Sequence, residues 1–265
     1  MYNTAKYLKI RQFMILKITL PILLLNALLV SPAVQADEIT NEIKKTAPMS
    51  SEDPYESFNR VIFDFNMGFN ESVGLPLANA YNGIFPQPVR IGIDNVFSNL
   101  AVPLSAVNSL LQGKVEDGLS GIMRFTINST FGLFGLLDIA TPAGLEAKKE
   151  DLGQTLYRWG LWNETHYLVL PFVGSYTLRE LVGRTVDSTY DPVYAYVIDT
   201  DQNGRTIIFM GGKFVEYSKV ANLIADLKNQ PDPYVFARES YMQYRTNLIY
   251  DGKAPKANLD DFNFE

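Results

Sequence analysis

The sequence has no cysteine and a single histidine, His166, and this limits the chemistry available to the chain. Without cysteine there is no disulfide and no thiol to carry a lipid, so we expect no lipidation on cysteine. A metal site usually combines several histidine, cysteine or carboxylate ligands, and no paired ligand pattern accompanies His166. A nucleophile elbow and a glycine-rich phosphate loop are also missing from the sequence. We therefore predict no catalytic residues, no metal and no cofactor, and do not expect an enzyme.

Long hydrophobic runs are missing as well. The apolar run Ile18–Val30 is too short to cross a bilayer comfortably as a helix. Four cations precede or open the run, and the small-residue segment Ala33–Ala36 follows it. This order is typical of a cleavable secretory signal peptide, predicted here over residues 1–36. An N-terminal membrane anchor is the alternative, and Met14 is a second candidate start for the signal.

Positive charge is also scarce, because 23 lysines and arginines stand against 29 aspartates and glutamates, a net charge of −6. The signal peptide holds cations and no acid, so its removal makes the remaining chain more acidic still. Nucleic-acid binding depends on clustered cations, so no nucleic-acid partner is expected. Attraction to anionic lipid headgroups by charge alone is disfavoured for the same reason. The aromatic fraction of 12% suits either a core or a membrane interface.

Helical periodicity dominates the rest of the chain. Asp53–Glu56 has the cap, proline and glutamate of a helix start, and apolar residues then recur at helical spacing as far as Val73. Gly74 and Pro76 predict the end of this first helix.

Further helices are predicted from the same signals. Asp232–Pro233 opens a last helix that ends at Asp251–Gly252, and another helix covers Arg205–Leu227. Apolar residues between positions 104 and 122 also recur at helical spacing, with a break expected at Gly113.

Strand signals are weak, because alternation with period two is scarce and Tyr167–Phe172 predicts one short strand at most. The predicted fold class is all-α, with little or no β structure. Such amphipathic helices usually pack on each other, and a minority lie in a membrane interface. The predicted organisation is a flexible leader (37–52), a helical domain (53–252) and a loose polar tail (253–265). Glu146, Glu150 and Asp151 stand among lysines and are interpreted as a solvated face.

Three motifs occur in order along the helical domain. Asp53–Arg60 resembles the pattern D-P-x-E-x-F-N-R, and Leu170–Arg179 is similar to L-P-F-x-G-x-x-T-x-R. Asp232–Tyr241 is like the last helix of the same family. Each motif is weak alone, but the ordered set resembles the MlaA (VacJ) family of outer-membrane lipid-asymmetry proteins over about residues 53–250.

The resemblance implies a ring-like assembly of amphipathic helices embedded in one leaflet, the inner leaflet of the outer membrane, on its periplasmic face. It implies a central amphipathic channel through which mislocalised outer-leaflet phospholipid passes to a soluble periplasmic lipid carrier, MlaC. Members of the family associate with trimeric outer-membrane porins. Many members are tethered by an acylated N-terminal cysteine, which this sequence lacks. Membrane attachment is therefore expected to rest on embedded apolar surface and on partners.

Two sets of residues are the candidates that follow from this resemblance. The lipid-channel or headgroup candidates are Asn59, Arg60, Asn66, Leu170, Pro171, Phe172, Gly174 and Ser175. The membrane-embedded candidates are Phe131, Leu133, Phe134, Leu136 and Leu137. Alternatives remain open for each set: the polar residues of the first helix bind backbone or face water, the segment 170–179 is a structural turn, and the run 131–137 is an apolar hairpin inside the core.

Two rival functions remain open beside phospholipid transport. The first is a porin-associated structural scaffold of the outer membrane without lipid passage. The second is a soluble periplasmic hydrolase that uses His166.

Overall fold

The computed structural model of the chain describes residues 53–163, 165–191, 193 and 202–254. The predicted signal peptide and leader, residues 1–52, lie outside the described residues, as does the tail beyond residue 254. The described part is mostly helical, which confirms the predicted all-α fold class. In chain order the elements are α1 (Glu56–Phe69), a π-helical turn (Asn70–Gly74), α2 (Leu75–Ile84), α3 (Gln87–Leu111), α4 (Val115–Thr130), α5 (Leu152–Arg158), β1 (Tyr167–Leu170), β2 (Gly174–Thr177), α6 (Leu178–Tyr190), α7 (Gln202–Asp226), a 3-10 turn (Leu227–Asn229) and α8 (Pro233–Ile249).

The first helical segment continues past the residues that predicted its end. After α1 the chain passes through the π-helical turn directly into α2, so the prediction that Gly74 ends the helix is wrong. Gly74 is needed for close packing instead, because a Cβ there would lie 2.3 Å from the hydroxyl of Tyr217. Pro76 lies at the second position of α2, directly after the π-helical turn, so the helical path continues through it. Both residues therefore lie at the junction of two continuous helical segments and do not end the helix.

The other predicted helix boundaries agree with the structure. Gly113 has a φ of +78° and separates α3 from α4, as its position in the pattern predicted. Asp232 caps α8 by accepting a hydrogen bond from the backbone N–H of Val235 at 3.1 Å. Asp251 and Gly252, with φ of +52° and +80°, follow the last turn of that helix.

A two-stranded antiparallel hairpin corrects the prediction of one short strand at most. Tyr167 of β1 pairs with Thr177 of β2, and Leu170 pairs with Gly174. Four-residue strands are too short to give a clear period-two signal. The turn between them depends on left-handed backbone at Phe172 (φ +63°) and at Gly174 (φ +93°).

The interior is rich in polar side chains. Among the buried residues of the described ranges, polar and charged side chains outnumber apolar ones, and Arg179, Glu180 and Arg245 are almost completely buried. Charged side chains are rarely buried unless they are paired. Arg245 donates to Asp151 at 2.7 Å, and Arg184 donates to Glu180 at 2.7 Å. Ion pairs and hydrogen bonds thus occupy positions that apolar residues fill in most globular domains.

This interior corrects the interpretation of Glu150 and Asp151 as part of a solvated face, whereas Glu146 is exposed as predicted. Glu150 is buried and accepts hydrogen bonds from Gln112 and Lys114, both at 2.8 Å. Asp151 binds Arg245 and also caps α5 through the backbone N–H of Gln154. The neighbouring lysines in the sequence suggested a solvated face. The partners of the two carboxylates come from distant elements, which the local sequence does not reveal.

Apolar side chains, by contrast, are widely exposed on α1, on α7 and after α4. Among the helices that the structure describes, none is long and apolar enough to span a bilayer.

Candidate functional site

The turn after α4 presents the predicted membrane-embedded residues together on the surface. We define this apolar turn as Phe131–Leu137. Phe131 is 74% exposed and Phe134 is 84% exposed, and the three leucines of the turn are exposed as well. The side chains therefore project from the protein rather than pack inside it, although burial is the usual position of such residues.

The backbone of the apolar turn holds this arrangement against local strain. Leu133 and Phe134 have φ of +53° and +59°, a left-handed conformation that disfavours any residue with a Cβ by about 1–2 kcal/mol. Gly132 is required by space, because a Cβ there would lie 2.3 Å from the carbonyl oxygen of Leu137. The N–H of Leu137 donates to the carbonyl of Gly132 at 2.9 Å, and the N–H of Gly135 donates to that of Asn128 at 2.8 Å. Internal hydrogen bonds of this kind are what backbone needs in order to enter hydrocarbon.

A charged cluster fixes the base of the apolar turn. Asp138 accepts hydrogen bonds from Arg124 at 2.7 Å, from Thr141 at 2.6 Å and from Asn128 at 3.0 Å. Burial alone would raise the pKa of Asp138, but the hydrogen bonds outweigh burial and lower this pKa to about 2. The carboxylate is therefore ionised at neutral pH and ties the end of α4 to the chain that follows.

The tip of the β-hairpin forms a second exposed apolar surface. Phe172 is 66% exposed, and its ring packs edge-to-face on Phe65 and Phe69 of α1 at centroid distances of 5.1 and 5.0 Å. Val173 is exposed beside it, whereas Pro171 completes the turn. We call Phe65, Phe69, Phe172 and Val173 the hairpin-tip cluster.

Two asparagines of α1 bind the free edge of β1. The amide of Asn59 donates to the carbonyl of Tyr167 at 3.1 Å and accepts from the N–H of Val169 at 2.9 Å. Seven residues later, the amide of Asn66 donates to the carbonyl of Leu170 at 2.9 Å and accepts from the N–H of Phe172 at 2.8 Å. Both predicted channel asparagines therefore lie against backbone, where they fix the hairpin to the helix.

The remaining predicted channel residues of the hairpin have turn and pairing roles. Gly174 adopts the positive φ that the turn requires. Ser175 shares a hydrogen bond of 2.7 Å with the hydroxyl of Tyr167 across the hairpin. The structure thus brings Asn59, Asn66 and the 170–175 segment together, while the apolar turn is formed by a separate part of the chain.

Arg60 lies apart from the hairpin, in a surface groove of about 250 Å³ between α1 and the start of α8. We define this charged groove by its lining residues Arg60, Asp64, Glu71, Lys228, Asp232 and Tyr234. Arg60 donates to both carboxylate oxygens of Asp232, at 3.2 and 2.9 Å, and its guanidinium lies 4.5 Å from the ring centroid of Tyr234. Hydrogen bonds to Asp232 and Glu56 raise the pKa of Arg60 above its ordinary value.

Sequence reasoning selected Arg60 but missed the other members of the charged groove. Asp232 was recognised only as a helix cap, and it is 172 positions away from Arg60. Lys228 and Glu71 form an ion pair at 3.2 Å over a similar separation. No spacing within one element could have connected these residues, because the groove forms only when the first and last helices pack.

His166 shows no arrangement typical of catalysis. It is exposed immediately before β1, and its ring packs edge-on against Tyr55 at a centroid distance of 6.1 Å. Throughout the ranges that the structure describes, no group of three histidine, cysteine or carboxylate side chains is placed to hold a metal ion.

Outward-facing apolar turns over an ion-paired interior define a class, a helical protein with an extensive apolar interaction surface. Within this class, the sequence profile of the MlaA lipoprotein family matches residues 51–248. The chain belongs to the MlaA lipoprotein family, as its three ordered motifs predicted.

Individual relatives agree with this assignment. The intermembrane phospholipid transport system lipoprotein MlaA of Escherichia coli (strain K12) is 32% identical over 206 residues, or 76% of this chain and 79% of that protein. An uncharacterized protein of Rickettsia conorii is 31% identical over 255 residues, or 89% of this chain and 98% of that protein. A solved structure described as "Structural basis for maintenance of bacterial outer membrane lipid asymmetry" matches with a TM-score of 0.64 and 32% identity, over 75% of this chain and 99% of that chain.

Family membership confirms the prediction that this chain is a non-enzymatic protein. The Escherichia coli relative is named as a lipoprotein, whereas this sequence contains no cysteine.

Proposed function

We propose that this chain maintains outer-membrane lipid asymmetry by removing mislocalised phospholipid from the outer leaflet. The phospholipid passes through an amphipathic channel to a soluble periplasmic carrier of the MlaC type. The chain lies at the periplasmic face, embedded in the inner leaflet of the outer membrane beside a trimeric porin. The similarity to phospholipid transport lipoproteins, and to a structure solved to explain outer-membrane lipid asymmetry, supports this proposal.

The exposure of the apolar turn is the observation that carries the proposal. Phe131 and Phe134 project outward from a backbone whose N–H groups donate to carbonyls at the end of α4 and within the turn itself. Transfer of one such side chain into hydrocarbon contributes about 1.5–3 kcal/mol. Two aromatic and three leucine side chains can therefore hold this part of the chain in an acyl-chain layer without a lipid anchor.

The hairpin-tip cluster supplies a second apolar surface in this proposal. Asn59 and Asn66 fix the hairpin to α1, so that Phe172 and Val173 remain at the surface beside Phe65 and Phe69. Leu170–Ser175 then contacts acyl chains along the channel, and Arg60 contacts the lipid headgroup. The apolar and charged parts of one phospholipid thereby meet matching surfaces of one protein.

The proposal is tested by measuring the amount of phospholipid in the outer leaflet. This phospholipid is labelled from the cell exterior in three strains: with the chain, without it, and with the Phe131→Ser, Phe134→Ser variant. We expect the deletion to raise the labelled phospholipid and the intact gene to restore it. The serine variant should fail to restore it, because the turn no longer enters the acyl-chain layer.

The matched control replaces both phenylalanines by leucine, which keeps the turn apolar and should restore the low level of outer-leaflet phospholipid. An unchanged phospholipid level after deletion would contradict lipid transport. A porin-associated scaffold would then account for the chain if it still co-purified with a porin. His166→Ala is expected to leave the phospholipid level unchanged, and a loss of function in that variant would instead revive the hydrolase alternative.

A further inference from the structure

The charged groove combines both signs of charge in one cavity. Arg60 and Lys228 contribute two cations, while Asp64, Glu71 and Asp232 contribute three carboxylates. A volume of about 250 Å³ is smaller than the usual pocket for a drug-sized ligand, so it suits a small polar group rather than a whole lipid. The buried ring of Phe63 and the side chain of Met67 add an apolar wall beside these charges.

Lys228, Glu71 and Asp64 of the groove are exposed to solvent, where a ligand could contact them. Lys228 is 60% exposed in its ion pair with Glu71, whose exposed fraction is 50%. Exposed pairs of this kind contribute little to stability, so they are poorly explained as structural supports. Asp64 is exposed in the same groove, and within the described part of the chain no hydrogen bond or ion pair involves its carboxylate. A free carboxylate beside the exposed Lys228–Glu71 pair and the guanidinium of Arg60 is the arrangement that a ligand carrying both signs of charge would match.

We propose that the charged groove binds the zwitterionic phosphoethanolamine headgroup of a phospholipid in preference to an anionic headgroup. The phosphate lies toward Arg60 and Lys228, and the ammonium lies toward Asp64 and Glu71. This assignment rests on the proposed function and adds a lipid preference to it.

The preference follows from the excess of carboxylates. An anionic headgroup such as phosphoglycerol has a phosphate but no cation, so Asp64 and Glu71 repel it without compensation. Phosphoethanolamine satisfies both signs at once. The aromatic ring of Tyr234 already faces Arg60 at 4.5 Å and Arg238 at 5.8 Å, so it orients the guanidinium rather than capturing the ligand ammonium.

The test measures which lipid the purified full-length chain retains in detergent from an equimolar mixture of phosphatidylethanolamine and phosphatidylglycerol. Native mass spectrometry gives the ratio of the two bound lipids. We expect phosphatidylethanolamine to dominate in the unaltered chain. Asp64→Asn should lower the ratio about threefold, the size expected for one exposed charge. Lys228→Ala should weaken the binding of both lipids, because each carries a phosphate.

Lys219→Ala is the matched control, since Lys219 forms a similar exposed ion pair with Asp94, at 2.7 Å, outside the groove. This variant should leave the ratio unchanged. An equal response of Asp64→Asn and Lys219→Ala would overturn the assignment, as would equal retention of the two lipids by the unaltered chain. Thermal denaturation of each variant verifies that folding is preserved.

Soluble ligands separate a headgroup site from a site for free phosphate. Free phosphoethanolamine should displace bound phosphatidylethanolamine at a lower concentration than inorganic phosphate does. Equal displacement by both would overturn the zwitterionic assignment in favour of a simple phosphate site. Because these measurements use purified protein, their outcome is independent of the outer-leaflet assay. A transport defect with no headgroup preference would therefore reject the assignment and retain the function.

Discussion

The side-chain amide of Asn59 takes the place of a neighbouring strand for the backbone of Val169. The N–H of Val169 donates to the amide oxygen at 2.9 Å, while the amide nitrogen of Asn59 donates to the carbonyl of Tyr167 at 3.1 Å. One helical side chain thus satisfies a donor and an acceptor on the unpaired edge of β1. Because Asn59 is completely buried, no water can replace it.

Replacing Asn59 by alanine should therefore destabilise the fold strongly. Both backbone groups of β1 would be left without partners, and each unsatisfied buried group costs about 1–3 kcal/mol. We expect the free energy of unfolding of Asn59→Ala to fall by about 2–4 kcal/mol in urea denaturation followed by circular dichroism. Asn95→Ala is the control, since Asn95 makes one exposed bond to the carbonyl of Leu136. Similar losses in the two variants would contradict the strand-edge role.

Two glycines with different surroundings predict opposite effects of substitution by alanine. Gly183 lies where α6 packs closely on α5, and Gly68 lies in open space on α1. A Cβ on Gly183 would lie 2.5 Å from the backbone nitrogen of Gly153, and backbone cannot move aside as a flexible side chain can. Gly183→Ala should lower the free energy of unfolding by about 1–3 kcal/mol. Gly68 has open space around it within α1, so Gly68→Ala should raise stability by about 0.5–1 kcal/mol. Thermal melts of the two variants should shift in opposite directions.

The strained backbone of the apolar turn predicts that a substitution of Phe134 can weaken membrane binding with little change in the stability of the fold. Glycine at this position relieves the strain of the positive φ, but it also increases the conformational entropy of the unfolded chain. Removing the ring costs little packing energy in water, because the ring is exposed. Phe134→Gly should therefore keep the free energy of unfolding within about 1 kcal/mol of the original value. Its binding to phospholipid vesicles should weaken by about tenfold or more, since one buried aromatic side chain is lost. Vesicle sedimentation measures this loss, and undiminished binding would place the turn outside the membrane.

Asp138 predicts a pH-dependent contribution to stability. Its pKa is lowered to about 2 in the folded chain, against an ordinary value of 3.8. The stabilisation is therefore fully present above the unfolded pKa and is lost as the pH falls through the folded pKa. Because the group is partly solvated, we expect Asp138→Asn to destabilise by about 1 kcal/mol at neutral pH.

The difference in the free energy of unfolding between Asp138→Asn and the unaltered chain should become smaller as the pH falls below about 4. Denaturation at a series of pH values measures it. Asp94→Asn is the control, because the partner of Asp94 is a single exposed lysine. A difference that stays constant down to the lowest pH would contradict ionisation of Asp138 as its cause.

Patterns within one element were predictable from the sequence. The break at Gly113 and the start of α8 at Asp232 depend on local backbone preferences and capping, which neighbouring residues determine. The grouping of apolar residues in Phe131–Leu137 was predictable for the same reason, since these residues are consecutive, whereas their exposure was left open between a membrane surface and a core hairpin. The roles of Gly74 and Pro76 were not predictable locally, because the hydroxyl of Tyr217, which approaches Gly74, belongs to a different helix.

The sequence by itself determined the helical class, the absence of cysteine chemistry and membership in a family, because composition, periodicity and ordered motifs are all properties of the linear chain. The tertiary structure decided what each polar residue does. It turned Asn59 and Asn66 toward the edge of a strand, buried Glu150 beside Lys114, paired Asp151 with Arg245, and paired Arg60 with Asp232 from the far end of the chain. A polar side chain can bind water, backbone or an opposite charge, and only the packing of distant elements determines which of these partners is within hydrogen-bonding distance.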